Sequence, residues 1–194
     1  MGDLVADLWA FDFDGTLVET AKFKRDAFFD VFPARLAEVV DSVLRQDPDG
    51  SRHVVIPRMV AAADDPTLDA NALIAAYAAT VAEQVLKAPS VPEAQDALEW
   101  AAAHGTACLF SMTPHIELGK AIEARGWGIY FSDIKGFPFR KPNSLDGWIA
   151  RFSPSAVTVI GDGVSDAEAA HDANARFLLA EAGWPNILMT GSFL

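Results

Sequence analysis

The chain has 194 residues, 51% of them hydrophobic, and carries a formal net charge of −12. That length supports one sizeable core with a small accessory module but not two full domains, and the charge argues against binding DNA or an anionic membrane through broad electrostatics, since both need basic patches. No apolar run approaches the ~20 residues of a membrane helix, and the single cysteine, Cys108, excludes an intrachain disulfide.

Met1 to Ala10 hold Asp3 and Asp7 with no Lys or Arg and no long apolar stretch, which reads against a secretory signal; a cytoplasmic location is the expectation. Residues 18–60 hold seven bases and seven acids, so the excess acidity lies outside that segment.

The first element is a strand over Asp7 to Asp14, apolar and aromatic, ended by Gly15-Thr16. From about Glu19 to Lys87 the pattern changes to Ala, Leu, Val and charged residues at helical spacing. With breaks at Pro33, Pro48-Asp49-Gly50 and Pro66, it predicts an insert of roughly four helices. Ser90-Val-Pro-Glu93 has the spacing of a capping box and predicts a helix running to about Ala103, stopped by His104-Gly105. A strand follows at Thr106 to Phe110, a helix from Pro114, a short strand near Ile129 to Phe131, and a helix from about Ser144 to Arg151. The chain closes with a strand at Ala156 to Ile160, the turn Gly161-Asp-Gly163, a helix at Ser165 to Ala173 and a strand at Ala175 to Leu179. Strands and helices alternating at this length imply an α/β fold, a parallel sheet with helices on both faces, where ligands bind at the carboxyl ends of the strands.

The strongest chemical signal is Phe11-Asp12-Phe13-Asp14-Gly15-Thr16-Leu17. Two carboxylates at i and i+2 of an extended chain project to the same side, here among aromatic residues where an uncompensated charge is costly, so a cation is expected beside them. A lone Asp-x-Asp is a weak motif. The stretch FDFDGTL, then Ser111 after ACLF, then Lys141-Pro142, then Gly161-Asp162-Gly-Val-Ser-Asp166, together resemble the haloacid dehalogenase superfamily of phosphotransferases in order and spacing. The likeness spans residue 6 to about 180. It is nearest the members with a helical (type C1) cap, of the phosphoglycolate phosphatase and beta-phosphoglucomutase kind.

That resemblance implies a Rossmann-like core from residues 1–17 and 89–194, with residues 18–88 as an inserted all-α cap that closes over the site. It implies a phosphatase in which Asp12 is the nucleophile and forms an acyl phosphate, while Asp14 protonates the leaving oxygen and then deprotonates water. Asp12, the backbone carbonyl of Asp14, and Asp162 would hold Mg2+, with Asp166 completing the acidic site directly or through water. Ser111, Lys141 and the backbone N–H of Met112 would steady the phosphoryl oxygens. Those of Phe13 and Asp14 could add donors. Met112 and Gly163 depart from relatives, which often carry a small or polar residue and a Ser or Thr there; neither departure removes an essential group.

Lys22, Lys24, Arg25, Arg52, His53 and Arg58 are candidates to grip the substrate. Most read as solvent-exposed on amphipathic helices, and Arg52, following the Pro-Asp-Gly turn, is the pick for a substrate contact. His104, His115 and His171 lack metal-ligand spacing and read as surface residues. The expected partner is a small phosphorylated metabolite, with no nucleic acid and no membrane, for a monomer or homodimer. Asp14 argues against dehalogenation. A sugar-phosphate mutase keeps the same core residues and remains an alternative, as does a non-catalytic protein that retains the fold.

Overall fold

The computed structural model describes residues 7–48 and 50–191. The expectations for Met1 to Asp3 and for the turn residue Asp49 fall outside them. The chain divides into two compact units: one up to Glu19 and from Pro89 onward, the other Thr20–Ala88.

The larger unit is built on five parallel strands: β1 (Asp7–Phe11), β2 (Gly105–Pro114), β3 (Asp133–Phe137), β4 (Val157–Gly161) and β5 (Arg176–Leu179). Their order is β3-β2-β1-β4-β5, which puts β1 at the centre. Because β1 is paired on both edges, to Gly105–Leu109 and to Val157–Ile160, it reads as a continuous apolar run and not as an alternating one. Its pleat still sorts side chains between two faces. Leu8 and Ala10 join Cys108, Phe110 and Val159 in a cluster closed by Leu145, Trp148 and Ala170. These last three lie on α7 (Lys141–Phe152) and α8 (Val164–Asp172), and the Trp148 ring stacks on Phe110 at 5.7 Å. Trp9 and Phe11 face the other way, Trp9 edge-on to Trp100 of α5 (Ala94–His104) and Phe11 against Trp184 of α9 (Trp184–Thr190). Each large side chain so buried contributes about 1.5–3 kcal/mol. The remaining helix of this unit, α6 (His115–Ala124), packs on β2 and β3.

Several element boundaries differ from the sequence expectation. The strand expected near Ile129 to Phe131 is a 3-10 turn, Trp127–Tyr130, and the strand follows at Asp133–Phe137; the apolar run has the composition of a strand, yet Gly126 in a left-handed turn (φ 68°) and the buried Trp127 fix it as a connector. Ser90-Val-Pro-Glu93 makes no capping box: Ser90 bridges Val18 antiparallel, and Glu93 precedes the helix in a left-handed conformation (φ 63°) without a side-chain cap bond. The helix expected from Ser144 begins three residues earlier, since Pro142 fits the first turn, where no intrahelical donor is needed. The strand expected over Asp7 to Asp14 ends at Phe11, and β2 runs on to Pro114. Helix α9 was not anticipated.

The second unit holds α1 (Ala21–Val31), α2 (Ala37–Gln46), α3 (Arg52–Ala63) and α4 (Ala70–Lys87). Asp69 caps α4 by accepting the Ala72 N–H at 2.9 Å, and Tyr77, Val81 and Val85 at i, i+4 and i+8 form its buried stripe. Phe28 of α1 stacks on Tyr77, with ring centroids 4.3 Å apart. Among the described residues no helix is long and apolar enough to cross a membrane.

Candidate active site

The site is assembled where β1, β2 and β4 end. Asp12 leaves β1 with its N–H still bonded to the Ile160 carbonyl at 2.8 Å, so its position is set by the central strand pairing. Lys141, the first residue of α7, brings its Nζ 2.9 Å from Asp12 Oδ1 and 2.8 Å from Asp166 Oδ1. Asp166, in the first turn of α8, also accepts the Gly163 N–H through Oδ2 at 3.2 Å. All three side chains are buried, Lys141 with 5% of its surface exposed.

Asp162, from the turn after β4, joins this group: one oxygen each from Asp12, Asp162 and Asp166 lie within 4.8 Å of one another. Two glycines make that approach sterically feasible. At Gly15 the backbone is left-handed (φ 80°), and a Cβ there would sit 2.6 Å from Asp162 Cγ and closer still to Oδ2. A Cβ at Gly161 would stand 2.5 Å from the Asp166 Cβ. Both positions therefore need glycine for the carboxylates to converge.

The electrostatics follow from burial and crowding. Burial lifts the Asp12 carboxyl well above its ordinary value, Lys141 pulls it down, and Asp166, Asp14 and Asp162 push it up again. For Lys141, burial favours the neutral amine, but Asp12 and Asp166 beside it outweigh that and raise its proton affinity, so it stays an ammonium. Two carboxylates this close repel by roughly 3 kcal/mol at an effective dielectric near 20. One ammonium cannot compensate three acidic side chains. The cluster is short of positive charge, and its carboxylate oxygens are hard donors that suit a small divalent cation.

Asp14 is turned to a different set of partners. Its Oδ2 accepts from the Thr113 hydroxyl at 2.6 Å and from the Ser111 hydroxyl at 3.2 Å. Ser111 in turn accepts the Thr113 N–H through Oγ at 3.0 Å. The Arg125 guanidinium, over the Phe13 and Trp127 rings at 5.8 and 5.7 Å, is close enough for its charge to feel Asp14.

Of the residues singled out in the sequence, Asp12, Lys141, Asp162 and Asp166 thus meet in one cluster, and Asp14 and Ser111 meet in a hydrogen-bonded pair. The Asp14 side chain is not part of the three-carboxylate group. Met112 lies half-buried between Ser111 and Thr113. Arg52 belongs to the other unit, where it is buried with its guanidinium 5.7 Å from the Tyr77 ring centroid. Arg25 and Arg58 are engaged on that unit's surface with Asp41 and Asp47, and Lys22 with Asp26. His104, His115 and His171 are exposed.

Thr113 and Arg125 were not foreseen. For Thr113 a signal existed, because a hydroxyl at i+2 from Ser111 in extended chain projects to the same side. For Arg125, at the end of α6, none did.

The family model described as haloacid dehalogenase-like hydrolase matches residues 6–174. No curated protein matches the sequence. Among solved structures, a hydrolase from Streptococcus pneumoniae TIGR4 shares 20% identity, with 96% of this chain and 98% of that one covered and a TM-score of 0.60. A CbbY variant from Rhodobacter sphaeroides in complex with xylulose-(1,5)bisphosphate shares 18%, covering 93% and 88%, with a TM-score of 0.72. A predicted phosphoglycolate phosphatase from Haemophilus somnus 129pt also shares 18%, covering 89% and 84%, with a TM-score of 0.69.

Proposed function

The chain belongs to the haloacid dehalogenase-like hydrolases, and from that premise we propose that it is a Mg2+-dependent phosphatase that cleaves a small phosphate monoester through an aspartyl-phosphate on Asp12. The observation that supports this most is the buried Asp12–Lys141–Asp166 array with Asp162 beside it. A structural ion pair would need one acid for one base; this cluster crowds carboxylates beyond what its lysine offsets.

Asp12 is the nucleophile. One of its oxygens attacks phosphorus while the ester oxygen departs on the opposite side, giving an acyl phosphate that water then opens. Lys141, held charged, keeps Asp12 oriented and offers its N–H bonds to the phosphoryl oxygens as their charge develops. Asp14 gives its proton to the leaving oxygen, which leaves Asp14 as the carboxylate that takes a proton from the attacking water. Ser111 presents a hydroxyl beside that path, and the Met112 N–H is proposed as a further donor to the phosphoryl group.

Asp12, Asp162, Asp166 and the Asp14 carbonyl would hold the cation. The three side chains fit one, being oxygen donors within 4.8 Å of each other and short of positive charge. When bound it neutralises nucleophile and phosphate, which lets two anions approach. Arg52 is proposed as the contact for the part of the substrate that does not react.

Phosphate release from a panel of phosphorylated metabolites, with Mg2+ and with EDTA, tests the reading. Cation-dependent release that Asp12→Asn abolishes is expected. Release that persists in Asp12→Asn would refute it, and conversion of a hexose 1-phosphate to its 6-phosphate without free phosphate would replace it with a mutase. Arg52→Ala is expected to raise KM with kcat little changed.

A further inference from the structure

We propose that Thr113 is a positioning residue for Asp14, fixing the proton-transfer carboxyl in one orientation through both halves of the reaction; this rests on the phosphatase reading above. Asp14 Oδ2 takes two hydroxyl bonds, from Thr113 at 2.6 Å and Ser111 at 3.2 Å. The shorter one comes from the residue that the motif does not include. An O–H···O bond of this length to a carboxylate is of the strong, charge-assisted kind.

Thr113 is itself well held. Its side chain is 7% exposed, and its N–H is committed to Ser111 Oγ at 3.0 Å, which occupies an acceptor site on that oxygen and leaves the Ser111 proton for Asp14. The β2–β3 register shifts between Ser111 and Pro114, an irregularity of the sort that re-aims side chains next to active sites. Across that shift the backbones are in close approach: a Cβ at Gly136 of β3 would lie 2.6 Å from the Thr113 carbonyl oxygen. The hydroxyl is therefore carried on a strand that cannot easily drift.

The geometry gives the clamp a specific use. With two hydroxyls donating to Oδ2, the plane of the carboxyl group is fixed relative to β2. As the acid, Asp14 passes its proton to the ester oxygen while the P–O bond breaks and the alcohol leaves with the bonding pair. As the base, the same carboxyl takes a proton from water while the water oxygen bonds to phosphorus and Asp12 is released. Oδ2 keeps its two bonds in either state, so the carboxyl does not rotate between the steps.

The test compares two esters. An alkyl phosphate has a poor leaving group that needs protonation, whereas 2,4-dinitrophenyl phosphate does not, and kcat/KM reports steps only through departure of the alcohol. Thr113→Val is expected to lower kcat/KM for the alkyl ester by roughly ten- to a hundredfold, a partial loss of the roughly hundred- to ten-thousandfold that acid catalysis supplies, and to leave the dinitrophenyl ester within about threefold. The alkyl-ester loss should fall in kcat and not in KM, Thr113→Ser should restore most of it, and in an Asp14→Asn background Thr113→Val should add nothing. Thr113→Ala removes the same hydroxyl should the valine variant not fold. Equal losses on both esters, a rise in KM alone, or full additivity with Asp14→Asn would overturn the proposal. If the wild-type chain hydrolyses neither ester, the phosphatase reading fails and the positioning role fails with it.

Discussion

Substituting Gly15 by Ala separates what the turn after β1 does for the fold from what it does for the cluster. The left-handed backbone at Gly15 (φ 80°) costs an L-residue about 1–2 kcal/mol. The added Cβ also falls 2.6 Å from Asp162 Cγ, and since Asp162 is exposed, that side chain swings aside at little energetic expense. Stability should therefore drop by the backbone term alone, a loss of roughly 2–8 °C in melting temperature for a chain of this size. Occupancy of the cation site should suffer more: displacing one carboxylate is expected to raise the half-saturating Mg2+ concentration by roughly tenfold or more. All five tryptophans lie at Trp9 and beyond Pro89, so tryptophan fluorescence follows the larger unit alone. Urea unfolding and Mg2+ titration of phosphate release, on Gly15→Ala, Asp162→Ala and the double variant, give both quantities. The double variant should keep the backbone penalty yet show no deeper Mg2+ defect than Asp162→Ala. A Gly15→Ala chain that melts like wild type, or whose Mg2+ defect adds in full to that of Asp162→Ala, would refute the reasoning.

Lys141→Met should abolish turnover and, without metal at neutral pH, destabilise the fold by about 3–5 kcal/mol, because Asp12 and Asp166 are left buried without their ammonium; urea midpoints measure it, and the deficit should shrink as pH falls and the acids take up protons. In the metal-free protein, folded Asp12 holds its proton more tightly than the ordinary value of 3.8, so unfolding releases a proton; stability present below that value should be lost as pH rises through the raised one. Mg2+ should flatten this slope and Asp12→Asn should remove it, as read from urea midpoints between about pH 4 and 8. Cys108, its thiol pushed up to about 12 by burial and then by the Asp133 charge, should resist alkylation at pH 8 until the chain unfolds, which mass spectrometry of iodoacetamide-treated protein would show.

The family and the parallel α/β architecture were legible because the signal is dense: Asp12, Ser111 and Asp162 each end or follow an apolar run that reads as a buried strand, and Lys141-Pro142 falls between them in the expected order. Boundaries were less so. Trp127–Tyr130 has strand-like composition, and nothing local reveals that Gly126 turns it into a connector. Ser90 and Glu93 match a capping box in spacing, yet the bridge from Ser90 to Val18 is a long-range contact that no local pattern encodes. Within the site, the acids and the lysine were readable by residue type. The bond from Thr113 to Asp14 was not, because it depends on how β1 and β2 line up, and residues 14 and 113 lie far apart in sequence.

The strand bridge between Val18 and Ser90, with the bonds from Glu19 N–H to the Pro89 carbonyl and from Val91 N–H to the Leu17 carbonyl at 3.0 Å each, brings the departing and returning chains side by side. Everything from Thr20 to Ala88 thus enters and exits through a single seam whose two edges are already stitched together. Excising that stretch and joining Glu19 to Pro89 by a short turn asks no strand to move, so the shortened chain is expected to keep the sheet and its acids as a chassis for other helical modules, which its urea unfolding would check.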